Sequence, residues 1–162
     1  MAGPTPYIEP ITERYWALGF EPYRWYHAED PPPWTPLAKP LGECRVGVLS
    51  TAGTYVKGQK AYFYKDDTST RAIPKSTPAD DIRFSHVTEH YLPGPREDPN
   101  SIFPIDTLRR LEADGVIGEM AEDLFSCMGG IYSQRRVREE LIPRVAAQFE
   151  AQGIDIAFLV PL

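Results

Sequence analysis

The chain has 162 residues, of which 42% are hydrophobic and 25% are charged, a composition typical of one globular domain. Its net charge of −6 disfavours nucleic acid as a partner, and no apolar run approaches the ~20 residues that span a membrane. The N-terminus lacks the features of a signal peptide, and two cysteines are too few for a disulfide scaffold, so we expect a cytoplasmic protein.

The first predicted element is a helix over residues 7–20, where apolar side chains recur at helical spacing. Residues 21–41 follow, and their many prolines exclude a helix or a central strand. We expect this stretch to be an extended arm whose aromatic side chains anchor it to the body of the protein or to a second copy. Residues 1–42 are thus predicted to be a helix plus arm, and residues 43–162 the sheet core of a single α/β domain.

The clearest predicted strand is RVGVLS at residues 45–50. Its continuous apolar run predicts burial on both faces, as in a parallel or mixed central strand. The turn that follows is a candidate ligand site, because open α/β sheets bind ligands at the carboxyl ends of their strands. Its backbone N–H groups and hydroxyls, from Ser50, Thr51 and Gly53, are suited to a carboxylate. The alternative is a tight turn held by local hydroxyl bonds.

The middle of the chain predicts three short strands, at residues 61–64, 71–73 and 82–87. A breaker-rich loop then leads to a helix that begins at Pro104 and ends at Gly115.

The last unit is predicted to be a helix that Ser133 caps, that kinks near Pro143 and that ends at Gly153. A buried strand over residues 154–160 follows it. Strands and helices therefore alternate, which predicts an α/β fold: a mixed or mostly parallel sheet with flanking helices.

Cys127 and His86 are the candidate catalytic residues. Cys127 precedes Met-Gly-Gly, and a glycine turn that directs N–H groups at the sulfur would lower the pKa of the thiol. The alternative is a small buried side chain. His86 lies at the end of a predicted strand, where it could exchange protons or bond a substrate, or simply be structural.

Two of three further groups of polar residues have alternative interpretations. His86 and His90 have a spacing found in metal-binding helices, but in an extended segment the two rings would lie ~13 Å apart. Asp98 and Asn100 either bind a ligand or form Asx turns that cap the next helix. The arginines near Ser133 are expected to form ion pairs on a solvated helix face.

Several stretches resemble, in order, the selenoprotein B family of glycine, sarcosine, betaine and D-proline reductases. They are PYRWYHAEDPPPWTPLAKPL at 22–41, CRVGVLSTAG at 44–53, the Ser85-His86 pair, DPNSIFPIDTLRRLEADGVIG at 98–118, FSCMGG at 125–130 and VPL at 160–162.

The resemblance implies reductive cleavage of a C–N bond in a small amino-acid-like substrate, with electrons supplied by thiols. It also implies a selenocysteine or cysteine nucleophile just beyond a strand that ends in a Val-Pro-like motif. Leu162 is the last residue here, and one interpretation is a selenocysteine codon read as a stop.

Three functions remain open from the sequence. The first is a reductase-related protein that binds a small amino-acid-like or carboxylate ligand, with no cofactor predicted. The second is a non-catalytic subunit of an oligomer or a larger complex. The third is a metal-dependent enzyme that uses His86 and His90.

Overall fold

The structure is a computed structural model and describes residues 6–21 and 29–162. It divides into two units, Met1–Pro36 and Leu37–Leu162. In the first unit, helix α1 spans Ile8–Ala17 and buries none of its side chains. This confirms the predicted N-terminal helix, whereas residues 22–28 of the predicted arm lie outside the described residues.

The second unit is built around strand β1, Arg45–Ser50, in a five-stranded mixed sheet. The other strands of this sheet are β3 at Arg71–Pro74, β5 at Glu119–Met120, β6 at Asp123–Ser126 and β7 at Ile156–Val160. β1 pairs in parallel with β5 near its start, with β6 near its end and with β7 along most of its length. Because a strand has two edges, β5 and β6 share one of them and β7 takes the other. β3 pairs antiparallel with β6.

A separate antiparallel pair joins β2, Thr54–Val56, to β4, Ile82–Phe84. The second unit also contains helices α2 at Pro93–Glu97, α3 at Ile105–Ala113, α4 at Gln134–Arg136 and α5 at Ile142–Ala151. These elements confirm the predicted α/β fold with a mixed sheet and flanking helices. In the described part of the chain, no helix is both long and apolar enough to cross a membrane.

β1 forms the centre of the core, as its apolar run predicts. Val46, Gly47 and Val48 are buried in succession, which requires cover on both faces of the strand. The buried apolar cluster around β1 takes side chains from Val46 to Leu124, and partly buried residues of the C-terminal segment such as Ile156 pack against it. Its members include Val46, Val48, Ile73, Phe84, Leu92, Phe103, Ile105, Leu108, Met120 and Leu124. This core holds the carboxyl ends of the strands in fixed positions.

Three sequence-based expectations about strands are wrong. Residues 61–64 form no strand, although Tyr62 is buried there, and the strand expected over 82–87 ends at Phe84. The last strand was expected to be buried, but Phe158 is 44% exposed and Leu159 63% exposed. The reason is that β7 pairs only with β1 among the described strands, so one edge of it is open.

The last helical segment runs from Gln134 to Ala151 and contains one turn of π-helix at Val137–Leu141. Ser133 caps it, as predicted, by accepting a hydrogen bond from the backbone N–H of Arg136 at 3.3 Å. The π turn lies directly before Pro143, whose ring removes an N–H and crowds the preceding turn. The irregularity expected near Pro143 is thus a π turn.

Candidate functional site

The carboxyl ends of β1, β6 and β7 meet at one edge of the sheet, because these strands run parallel. Backbone bonds tie the residues that follow them. The N–H of Thr51 donates to the carbonyl of Val160 at 3.0 Å, and the hydroxyl of Thr51 accepts the N–H of Leu162 at 2.9 Å. The N–H of Cys127 donates to the carbonyl of Ser50 at 2.9 Å. The turns after the three strands therefore form one surface.

Gly53 attaches the segment after β4 to this surface. Its N–H donates to the carbonyl of Cys127, and its carbonyl accepts the N–H of Ser85, each at 3.0 Å. Gly53 has a φ of +63°, and a Cβ at this position would lie 2.0 Å from the carbonyl oxygen of Ser85. Only glycine fits so close an approach in this conformation. The contact places His86, the next residue, at the carboxyl edge.

His86 is only 6% exposed, and its two ring nitrogens have different surroundings. Nδ1 accepts the backbone N–H of Thr88 at 3.1 Å and lies 2.6 Å from the Thr88 hydroxyl. A backbone N–H can only donate, so Nδ1 carries no proton and the neutral ring is protonated at Nε2. Nε2 is buried and has no hydrogen-bond partner among the residues that the structure describes. Burial lowers the pKa of His86, which favours this neutral form.

Gly129 lies where these segments converge. A Cβ at Gly129 would be 2.9 Å from Nε2 of His86, 2.9 Å from the carbonyl oxygen of Thr51 and 3.0 Å from that of Leu162. Gly129 itself is exposed to solvent. We call Thr51, His86, Gly129 and Leu162 the strand-end cluster.

The hydroxyls of Ser50 and Ser126 lie beneath this cluster and are engaged within the protein. Ser50 is fully buried, and its hydroxyl donates to the carbonyl of Ile102 at 3.0 Å. The hydroxyl of Ser126 donates to the carbonyl of Ser50 at 3.0 Å and accepts the N–H of Thr54 at 2.8 Å. Of the predicted turn residues, Thr51 therefore borders the exposed edge, whereas Ser50 and Gly53 hold the segments together.

Cys127 is next to the cluster in sequence, but its thiol is buried. The residue is 2% exposed, and burial raises the pKa of the thiol to about 11. The nearby Tyr62 is also buried, and its hydroxyl donates to the carbonyl of Ser126 at 2.6 Å. Cys127 is therefore a neutral thiol at physiological pH, and its predicted role as a nucleophile stays a prediction.

Asp98 and Asn100 make the local bonds that the capping interpretation describes. The Asp98 carboxylate accepts the N–H of Asn100 at 3.0 Å, an Asx turn. The Asn100 side chain accepts the N–H of Asp106 at 2.9 Å and donates to the Asp106 carboxylate at 3.0 Å, at the first turn of α3. Ligand binding by Asp98 and Asn100 stays a prediction.

His90 is exposed and its ring lies 4.1 Å, centroid to centroid, from that of Tyr91. Within residues 6–21 and 29–162, no three His, Cys, Asp or Glu side chains are grouped so that they could hold a metal ion. The geometry of the described residues thus gives the metal hypothesis no support.

Two residues of the site were not identified from the sequence. Thr88 fixes which nitrogen of His86 carries the proton. The sequence signal for this role is a threonine two residues after a histidine, because threonine side chains often form hydrogen bonds with nearby groups of the chain. Gly129 was noted only for its amide, whereas its contribution is the absence of a side chain beside His86. That contact joins residues 43 positions apart, so no local pattern predicts it.

A protein of known activity is similar to most of this chain. The D-proline reductase subunit gamma of Acetoanaerobium sticklandii is 35% identical to it over 130 residues, or 80% of the chain. The chain resembles a reductase subunit. It spans about half of that relative, 53% of its length. No model of a protein family and no solved structure matches the chain.

Proposed function

We propose that this chain is one subunit of a reductase that cleaves a C–N bond in a small amino-acid-like substrate, with D-proline as the first candidate. The observation that carries the proposal is the 35% identity to a D-proline reductase subunit over 80% of the chain. The strand-end cluster supports it, because α/β sheets bind ligands at the carboxyl ends of their strands. We also propose that the chain is a member of the selenoprotein B family of reductases.

The proposed reaction opens the proline ring by reduction. One C–N bond breaks, two electrons and two protons enter, and the carbon and the nitrogen each gain one hydrogen. A pair of thiols supplies the electrons and becomes a disulfide. In this scheme the chain offers a hydrogen-bond donor at His86 and a polar edge at Thr51.

The test is an assay of the protein purified from its own host with the subunits that bind it. D-proline and dithiothreitol are supplied, and an open-chain amino acid is sought by mass spectrometry. We expect this product with the native complex and a large loss of it after Thr51→Val. An intact complex that consumes no D-proline, and no glycine, sarcosine or betaine, would refute the proposed activity.

A second candidate is a non-catalytic subunit that contributes surface to the assembly. The observation that favours it is the burial of Cys127, because a thiol with a pKa near 11 is almost entirely protonated at neutral pH. The exposed apolar edge of β7 also suits contact with a partner polypeptide. For either candidate we propose a cytoplasmic location, in keeping with two cysteines that form no disulfide.

Alkylation of Cys127 tests whether its thiol is reactive enough to act as a nucleophile. We predict that iodoacetamide modifies Cys127 at pH 7.5 more slowly than it modifies glutathione, and rapidly once urea unfolds the chain. The free energy of unfolding should also fall as pH rises from about 9 to 11, since the unfolded thiol loses its proton before the folded one. Cys127→Ala should reduce that fall. Faster modification of Cys127 than of glutathione would instead support a thiol nucleophile.

A further inference from the structure

We propose that Thr88 and Gly129 are positioning residues that make His86 a fixed Nε2–H donor, and that this donor binds a carboxylate oxygen of the ligand. The inference rests on the proposed function for the identity of the ligand, an amino acid. It goes beyond that function by naming the atom that recognises the carboxylate and the two residues that prepare it.

The first argument is the position of the proton. The N–H of Thr88 donates to Nδ1 of His86 at 3.1 Å, and the Thr88 hydroxyl lies 2.6 Å from the same nitrogen. Thr88 is only two residues after His86, so both contacts form when residues 86–88 adopt their turn. His86 therefore presents a donor at Nε2, and the ligand atom it selects is an acceptor.

The second argument is the missing partner. Nε2 of His86 is buried and finds no partner within residues 6–21 and 29–162, while buried polar groups in folded proteins are almost always hydrogen-bonded. A buried donor without an acceptor is costly, so an acceptor supplied by a bound molecule would stabilise this site. In an amino acid at neutral pH the ammonium group can only donate, so the carboxylate oxygen is the group that accepts from Nε2.

The third argument is the thin cover over the donor. Gly129 is exposed, and a Cβ there would come within 2.9 Å of Nε2. A side chain at this position would therefore cover the donor, whereas glycine adds no side chain over it.

The experiment is NMR of the full chain with ¹⁵N-labelled histidine, with D-proline, acetate and pyrrolidine as probes. Pyrrolidine has the ring of D-proline without its carboxylate. In the free protein we expect His86 to show one tautomer, with Nε2 protonated and Nδ1 not. D-proline and acetate should move the Nε2–H resonance downfield, and pyrrolidine should not. The exposed His90 is the internal control and should not respond to any probe.

Variants of Thr88 test the positioning role. Thr88→Val removes the hydroxyl but keeps the backbone N–H that sets the tautomer, so we expect Nε2 to stay protonated while the less firmly held ring responds less to acetate. Thr88→Ser keeps the hydroxyl and should restore the full response. Gly129→Ala should abolish the response, and the spectrum outside the cluster reports whether that variant is folded.

The outcomes separate this inference from the proposed function. If acetate moves the His86 signal while D-proline neither moves it nor binds by calorimetry, the donor is confirmed and D-proline is excluded as the ligand. If D-proline binds by calorimetry without moving the signal, the inference is refuted while the proposed function stands. A mixture of tautomers in the free protein, or no response to either carboxylate, refutes the inference.

Discussion

At the scale of single residues, Gly53 holds the candidate site together. A side chain there would meet the carbonyl of Ser85 at 2.0 Å, and the φ of +63° is itself unfavourable for other residues. Gly58 provides a matched comparison, because its φ is +95° and no atom lies within 4 Å of the place where its Cβ would be. Alanine at Gly58 therefore tests the cost of the backbone conformation alone, whereas alanine at Gly53 adds a steric conflict.

We predict that Gly58→Ala lowers the free energy of unfolding by about 1–2 kcal/mol, the cost of the backbone conformation alone. Gly53→Ala should lower it by at least about 3 kcal/mol, because β4 must also move away from the turn after β1. Urea unfolding followed by circular dichroism measures both values. Equal losses for the two variants would show that the contact between Gly53 and Ser85 contributes nothing to stability.

The sequence identified the residue types of this site better than their roles. A turn after a buried strand predicts an exposed polar edge, and His86 and Thr51 are there. Ser50 belongs to the same motif, but its hydroxyl is buried because Ile102, 52 residues later in the chain, accepts its hydrogen bond. Contacts across such separations depend on the packing of the whole domain, so sequence spacing alone does not distinguish Ser50 from Thr51.

At the scale of elements, the helix after Ser133 holds the loop at residues 65–70. Arg136 donates to the carbonyl of Asp66 at 2.6 Å and to the hydroxyl of Thr68 at 3.1 Å. That hydroxyl in turn donates to Glu140 at 2.6 Å, and the bond from Arg136 helps lower the pKa of Glu140 to about 2. The Asp66 carboxylate accepts the N–H of Tyr132, three residues after Gly129. The network thus holds the segment between Gly129 of the strand-end cluster and the helix after Ser133.

Arg135 and Arg136 give a matched pair of substitutions. Both form i,i+4 ion pairs, as predicted, but Arg135 bonds Glu139 on the solvent side while Arg136 also bonds the loop. We predict that Arg136→Gln makes trypsin cleave after Lys65 several-fold faster, since the loop loses two anchors. Arg135→Gln should leave the rate unchanged. Mass spectrometry of the fragments measures both rates, and equal rates would exclude the loop contact as the cause.

Element length explains which strands the sequence revealed. β1 has six residues with an unbroken apolar run, so its pattern is unambiguous. β5 has two residues and β2 three, and alternation over so few positions is indistinguishable from a loop. The strand over residues 154–160 was identified, but its burial was not, because burial depends on what lies beside it.

At the scale of the whole molecule, β7 is the least protected part of the sheet. It carries no charged residue between Ile156 and Val160, and proteins commonly protect an edge strand with charge or a bulge. A groove of about 300 Å³ beside it is lined by apolar side chains of β7 and α3, among them Phe158, Leu108 and Leu111. Such a surface is suited to the strand of a partner polypeptide, which agrees with the proposed role as a subunit.

We predict that the isolated chain, without a partner, self-associates through this edge. Leu159→Lys should weaken that association at least about ten-fold, because an exposed charge would have to be buried between the strands. The fold should survive, since Leu159 is already 63% exposed. Tyr64→Lys is the control, as Tyr64 is 65% exposed but lies outside β7 and should not alter association. Sedimentation velocity over a range of concentrations measures the effect. A wild-type chain that stays monomeric, or equal effects of the two lysines, would show that β7 does not direct association.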